Sequence, residues 1–377
     1  MSHFQCQVLP LEVLPHDNAD ALELAKVGDY LSVVRKGYFR TGDWGVYIPE
    51  GAVLPEPILE RMGLTGKLAG SQANRVKAVR LRGVLSQGLV YPVDKRSGCA
   101  GVLSLPDGLP PRDGYSGVLP IPVELGQDVS SLMGIVKYEP PIPAHMGGEV
   151  LNLGAELTVA FDVENLKRYP DLLLEGEPVR VTEKVHGTFC GVGIVPAAYA
   201  HPELLHGRIA VFSKGLGGQG LCFKDNERNR HNLYLRAIRE AGVDRFLLEY
   251  FPEEDVPVFV LGEVFGNGVQ DLAYGHVSPG FRAFDGVRGF RGQQVFDRRV
   301  YHGFLPEVTV LYEGPYRKQI VLDLTDGRES ISGKETHLRE GVVIRPATER
   351  CCPEIGRVLL KSVSQAYLLR KGGTELN

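Results

Sequence analysis

The feature that most constrains this chain is a change of texture partway along it. Up to about residue 105 the apolar runs are short, and each is closed by glycine or proline. Cys99–Leu125 is then rich in Gly and Pro, with Leu109-Pro-Pro-Arg112 inside it, and Lys137–Pro143 (KYEPPIP) is a second proline cluster. Proline runs favour polyproline geometry over continued sheet or helix. With 377 residues, one apolar core through the whole chain is not expected, and two separately packed domains are. The expected partition is 1–105, a linker over 106–160, and 161–377.

In the first part, Asp29–Arg35, Trp44–Ile48 and Val76–Leu81 read as strands, with turn signals at Lys36-Gly37 and Thr41-Gly42-Asp43. A short helix is expected near Ala19–Ala25. Many short strands and one helix suggest a small β-barrel. From about Glu164 the pattern is mixed. Strand-like Val179–Glu183, Val258–Leu261, Gly341–Ile344 and Arg357–Lys361 alternate with helical segments at Asn229–Ala241, stopped by Gly242, and Ser364–Lys371, closed by Gly372-Gly373. Without regular βαβ alternation, this part reads as α+β.

Composition excludes little but usefully. Lys+Arg number 42 and Asp+Glu 46, so the net charge of −4 neither requires nor forbids a polyanionic partner. No run of ~18 apolar residues appears, so no membrane span is expected. The opening Met1–Cys6 lacks the basic and apolar regions of a signal peptide, and the six cysteines show no C-x-x-C or zinc spacing. A reducing cytoplasm is the expected setting.

Several segments could carry chemistry. Thr182–Thr188 (TEKVHGT) ends an apolar strand in a lysine, with glycine three residues on. A partly buried amine near other cations loses its proton more readily and can attack phosphorus, and Gly187 would let backbone approach the phosphate. Alone, K-x-x-G is equally a surface lysine before a turn. Phe212-Ser-Lys-Gly215 adds a second cation, Leu261–Gly266 a carboxylate suited to ribose hydroxyls, and Phe281–Asp285 an aromatic face for a base. Glu340–Arg345 adds a carboxylate suited to a divalent cation, and Leu359–Ser362 a third lysine. Singly, each could be a salt bridge, core residue or snorkelling side chain.

In this order and wording the segments resemble motifs I, Ia, III, IIIa, IV and V of the covalent nucleotidyltransferases, the polynucleotide ligases and RNA capping enzymes, over roughly residues 164–375. Glu340–Arg345 narrows the resemblance to the RNA-ligase branch. The first half, at His16–Lys26, Gly45–Pro49, Leu81–Leu89 and Gly134–Pro140, resembles nick-sealing RNA ligases with an N-terminal OB domain, found in bacteria such as Deinococcus and in some amoebae. The resemblance implies an all-β OB-fold barrel followed by an α+β adenylyltransferase domain with ATP-grasp-like antiparallel sheets. It implies ATP with Mg2+ or Mn2+, and nicked duplex RNA or an RNA/DNA hybrid as partner, with no membrane, no protein partner and a monomeric chain.

By the same resemblance, Lys184 would become lysyl-AMP, Lys214 would contact phosphates, Glu263 the ribose and Phe284 the adenine. Glu340 would hold the metal and Lys361 the α-phosphate, with Glu183, Gly187 and Arg345 among the nucleotide-binding residues. RNA-ligase motif V often carries two lysines one residue apart. Here the earlier position is Leu359, leaving Lys361 alone or helped by another cation such as Arg345. Lys361 and a bound metal are expected to depress the pKa of Lys184.

Arg75, Lys77, Arg80 and Arg82 cluster as phosphate-contacting cations do, and Lys36, Tyr38, Phe39, Arg40 and Trp44 interleave bases and aromatics as single-strand platforms do. The alternative for both is a solvated strand face over ordinary core. Gly215–Gly220 fits G-x-G-x-x-G, but the acidic residue about 20 positions on, Glu240, lies inside a helix pattern, so a flexible loop is expected there. No P-loop motif is present, Cys351-Cys352 reads as structural, and His186 could touch substrate or pack behind the strand end. An RNA guanylyltransferase shares the lysine chemistry but carries its OB domain second, whereas here the barrel comes first. A silent end-binding module would lack the nucleophile or metal carboxylate, yet Lys184 and Glu340 are both present.

Overall fold

The computed structural model describes residues 4–95, 101–109 and 120–370. Met1–His3, Cys99, the Pro110-Pro111-Arg112 part of the first proline cluster, and Lys371–Gly373 lie outside them. The chain divides into two compact units. One comprises Ser2–Glu139 with Leu166–Pro170, and the other Pro140–Asn165 with Asp171–Asn377.

In the N-terminal unit a five-stranded sheet runs Gln7–Pro10, Trp44–Ile48, Leu89–Lys95, Gly101–Leu103, Ile121–Val123, beside a three-stranded sheet of Glu12–Pro15, Leu22–Val27 and Tyr30–Arg35. The helix expected near Ala19–Ala25 is instead the Leu22–Val27 strand, paired on both sides. Its helix-favouring composition yields to two neighbours that supply ladder bonds. The unit's helix is Glu56–Met62, with a proline in its first turn and Gly63 at φ 65° closing it. Cys6, Val8, Trp44, Val46, Ile58, Leu59 and Tyr91 form its core. The stretch read as a linker contributes a sheet strand, Ile121–Val123, and a helical turn, Ser130–Met133, and the unit's edge falls at Glu139.

Val79–Leu81 and Val84–Ser86 form a hairpin whose first strand is exposed throughout. Its two-residue turn has Arg82 at φ 49° and Gly83 at φ 93°, the double positive φ of a tight hairpin.

The C-terminal unit is built on two five-stranded sheets. The first runs Glu164–Asn165, Leu360–Val363, Gly341–Pro346, Pro178–Lys184, Val310–Pro315. The second runs Ile209–Ser213, Thr188–Ile194, Val258–Phe265, Gly280–Arg288, Val295–Phe296. Pro178–Lys184 ends one sheet and Thr188 begins the other, so Val185-His186-Gly187 is the crossing between them. Helix Leu233–Ala241 covers the second sheet with Leu233, Tyr234, Ala237 and Ile238. Asn232 caps it by accepting from the Tyr234 and Leu235 amides, and Gly242, at φ 70°, ends it and opens the Val243–Tyr250 helix directly. The Arg357–Lys361 strand is split into Gly356–Arg357, in a small hairpin, and Leu360–Val363, in the main sheet. No helix among the described residues is long and apolar enough to cross a membrane.

Candidate active site

Strand register decides which side chains meet. Lys184 lies opposite Gly341, and Val343 opposite Lys361, so Lys184 and Lys361 project from one face of the first sheet. Glu340 immediately precedes that neighbouring strand and places Oε1 2.7 Å from Lys184 Nζ. The Glu340 carboxylate is mostly buried, and its main-chain oxygen accepts from the Ser364 amide at 2.9 Å.

Lys214 and Glu263 join from the second sheet, and both act electrostatically on the same group of charges. Burial, then repulsion from Lys184 and Lys214, lowers the Lys361 amine to about 8. Burial raises the Glu263 carboxyl to about 8; Lys184 opposes the rise and Glu340 adds to it. Lys361 and Glu263 are thus both poised to change charge with small changes of surroundings.

Lys214 opens a one-turn helix, Lys214–Gly218, in place of the expected flexible loop, and its Nζ lies 3.0 Å from Asp162 Oδ1. The strand before it belongs to an antiparallel sheet, which excludes a dinucleotide-binding βαβ unit.

Phe284 is the extra residue of a β-bulge. Leu261 pairs with Asp285 and Gly262 with Ala283, leaving Phe284 without an opposite number. Bulges re-aim side chains beside sites, and here the ring packs 5.2 Å from Phe161 and 6.1 Å from Phe189. Arg345 turns toward this aromatic group: it donates to Asp285 Oδ1 and to the Phe284 carbonyl, both at 3.1 Å. Arg357 binds the same Asp285. Arg345 is therefore tied to the aromatic ring's backbone, and Leu359, 2% exposed, is core.

Glu183 is expected among the nucleotide-binding residues. It alternates with Lys184 onto the opposite face, where Ser330 donates to Oε2 from its amide at 2.9 Å and its hydroxyl at 2.5 Å. Arg339 lies 3.7 Å away, and burial outweighs these partners and raises the Glu183 pKa. Gly187 has a packing role besides the phosphate approach expected of it. A Cβ there would sit 2.2 Å from the Val264 carbonyl oxygen, so the glycine lets two strands approach.

His186 is buried behind the crossing. Its Nε2 lies 2.8 Å from Asp271 Oδ1 and its Nδ1 2.6 Å from the Tyr367 hydroxyl. Burial lowers its pKa against the pull of Glu340 and Asp271, favouring the neutral ring. In the neutral ring one nitrogen donates and the other accepts, so Asp271 and Tyr367 between them fix which nitrogen carries the proton. Residues that the motifs do not reveal are Phe161, Asp162, Asp271 and Tyr367; none sits in a recognisable short motif, and only the fold brings them in.

In the N-terminal unit, Lys77, Arg80 and Arg82 are exposed, whereas Arg75 lies half-buried over the Tyr138 ring at 4.1 Å. Of the supposed aromatic platform, Phe39 and Trp44 are core and only Tyr38 is exposed.

Lys184, at the end of its strand, thus meets the Glu340 carboxylate, with Lys361 on the same face of the sheet. Residues 177–363 match the RNA ligase family model, and residues 7–93 match an OB-fold domain model. Residues 177–363 thus form an RNA ligase family domain, preceded by an OB-fold domain. No curated protein matches it. Naegleria gruberi RNA ligase with PPi shares the fold at TM-score 0.71 and 22% identity, over 97% of this chain and 98% of that one. A lysine-to-alanine variant of the same ligase with ATP and Mn superposes at TM-score 0.70 and 21% identity, over 97% and 98%.

Proposed function

We propose that the chain is an ATP-dependent RNA ligase that seals 3′-OH/5′-phosphate nicks in duplex nucleic acid, with RNA at the 3′-OH end. The observation that carries this reading is the Lys184–Glu340 pair, with Lys361, Lys214 and Glu263 gathered around it inside a ligase domain.

In the first step Lys184 Nζ gives up its proton and attacks the α-phosphorus of ATP. A nitrogen–phosphorus bond forms as the bond to pyrophosphate breaks. AMP then passes to the 5′-phosphate of a strand, releasing the lysine, and finally the 3′-OH attacks that phosphate and AMP leaves. Lys361 and Lys214 offset charge on the phosphate oxygens, Glu263 binds the ribose, and Phe284, held by Arg345, stacks on the base. Glu183 supports the strand from behind.

The donor set suits a hard cation. Glu340 offers carboxylate oxygen, and no group of three or more His, Cys, Asp or Glu side chains among the described residues encloses an ion. Mg2+ and Mn2+ are held in this manner, by one or two carboxylates with water and substrate phosphates. Such an ion would supply charge neutralisation at the phosphates.

The OB-fold unit would grip the duplex through Lys77, Arg80 and Arg82 on and beside its exposed hairpin. The deciding experiment offers duplexes that differ only in ribose or deoxyribose at the 3′-OH end. Sealing restricted to the ribose end is expected, and equal sealing of both would remove the RNA requirement.

A further inference from the structure

The Phe161-Asp162 dipeptide belongs to no element of either sheet: it lies in the irregular stretch between the turn Ala155–Leu157 and the strand Glu164–Asn165. Its two side chains reach the two halves of the nucleotide site at once. The Phe161 ring lies 5.2 Å from Phe284, tilted by 34°, and stacks on Phe189 at 5.3 Å and 19°. The next side chain, Asp162, sets Oδ1 3.0 Å from Lys214 Nζ and also accepts from the Val163 amide at 2.9 Å.

We propose that Phe161 and Asp162 form an internal stand-in for the nucleotide, an aromatic ring on the base-stacking residue followed by an anion on the phosphate lysine, which ATP must displace to bind. This rests on the reading above, in which Phe284 takes the base and Lys214 the phosphates.

The chemistry of the pair fits that exchange. A phenyl ring and a purine both offer a flat face to Phe284, and a carboxylate and a phosphate both offer anionic oxygens to an ammonium. Against the burial of Asp162, neighbouring cations led by the Lys214 ammonium hold its carboxyl below the ordinary value, so the side chain enters the exchange as an anion. Asp162 also acts on Lys361, which places its charge within the field of the phosphate-binding lysines. An exchange of this kind lowers apparent affinity by the fraction of molecules in which the site is open. It also keeps the lysines from holding other polyanions loosely when no nucleotide is present.

Binding is measured in the full chain carrying Lys184→Met, so that no adenylate forms, with ATP, pyrophosphate and adenosine as separate probes. Asp162→Asn is expected to tighten ATP and pyrophosphate about three- to tenfold and to leave adenosine unaffected. Phe161→Leu is expected to tighten ATP and adenosine and to leave pyrophosphate unaffected. A melting curve for each variant without nucleotide verifies folding. Weaker or unaltered pyrophosphate binding by folded Asp162→Asn overturns the proposal and makes Asp162 a ligand of the nucleotide or a bystander. Failure of the Lys184→Met chain to bind ATP at all would instead strike the functional reading on which the proposal stands.

Discussion

Lys184 Nζ and Glu340 Oε1 lie 2.7 Å apart across two antiparallel strands, at the point where one sheet of the ligase domain hands the chain to the other. A carboxylate at this distance favours the ammonium form. In the proposed mechanism the residue that would hold a divalent cation is thus also the ion-pair partner of the nucleophile. Glu340→Gln is expected to reduce lysyl-AMP formation by a factor of about 10²–10³, consistent with removal of one preorganised charge at a reacting phosphate. Single-turnover label transfer from ATP to protein measures it, and a variant within twofold of the parent would separate Glu340 from the chemistry.

Glu263 makes the stability of the free protein depend on pH in a defined direction. Its folded pKa, about 8, is above the ordinary 4.5, so the folded form keeps a proton that the unfolded chain releases. The folding contribution of this group is complete below about pH 4.5 and is lost as pH rises toward 8. Glu263→Gln never ionises. Its stability relative to the parent should therefore climb across that window, by at most about 5 kcal/mol at about 1.4 kcal/mol per pKa unit. Denaturant midpoints from pH 5 to pH 8.5 would show it, and a pH-independent difference would contradict the burial of this charge.

Arg345 grips Asp285 and the Phe284 carbonyl, so in the proposed site it would hold the base-stacking residue. Arg345→Lys keeps the charge but loses the fork that joins Asp285 to the Phe284 carbonyl. ATP affinity is expected to fall about tenfold while pyrophosphate affinity holds. Equal losses for both ligands would return Arg345 to the phosphate site.

Gly187→Ala would drive a methyl group into the Val264 carbonyl. A drop of about 1–3 kcal/mol in stability is expected, with adenylation falling alongside. Unchanged stability with abolished adenylation would favour the phosphate-approach reading.

On the OB-fold unit, Arg80→Ala with Arg82→Ala should weaken duplex binding while lysyl-AMP formation is retained. The slope of log affinity against log salt should become shallower by about one for each phosphate that the hairpin no longer neutralises. An unchanged slope would mean that the hairpin does not touch the duplex.

The residues proposed to carry the chemistry could be picked out because each sits in a short, worded segment. The sequence could not show facing. Glu183 and Lys184 are adjacent in sequence and opposite in the sheet, and only the pairing with Val342 and Gly341 separates them. Ala19–Ala25 misled because alanine and leucine suit either state until a neighbouring strand is known. Phe161 and Asp162 were invisible because an irregular segment carries no periodicity, and their partners lie 28–123 residues away in sequence, at Phe189, Lys214 and Phe284. The bulge at Phe284 follows from its register with Leu261 and Gly262, which no local pattern encodes.

The most direct measurement is intact-protein and peptide mass spectrometry after exposure of the full chain to ATP and Mg2+ or Mn2+. One AMP bound through Lys184 Nζ, released on addition of pyrophosphate and missing from Lys184→Ala, is the expected result. A chain that stays unmodified, or that carries AMP on another side chain, would contradict the assignment of Lys184 as nucleophile.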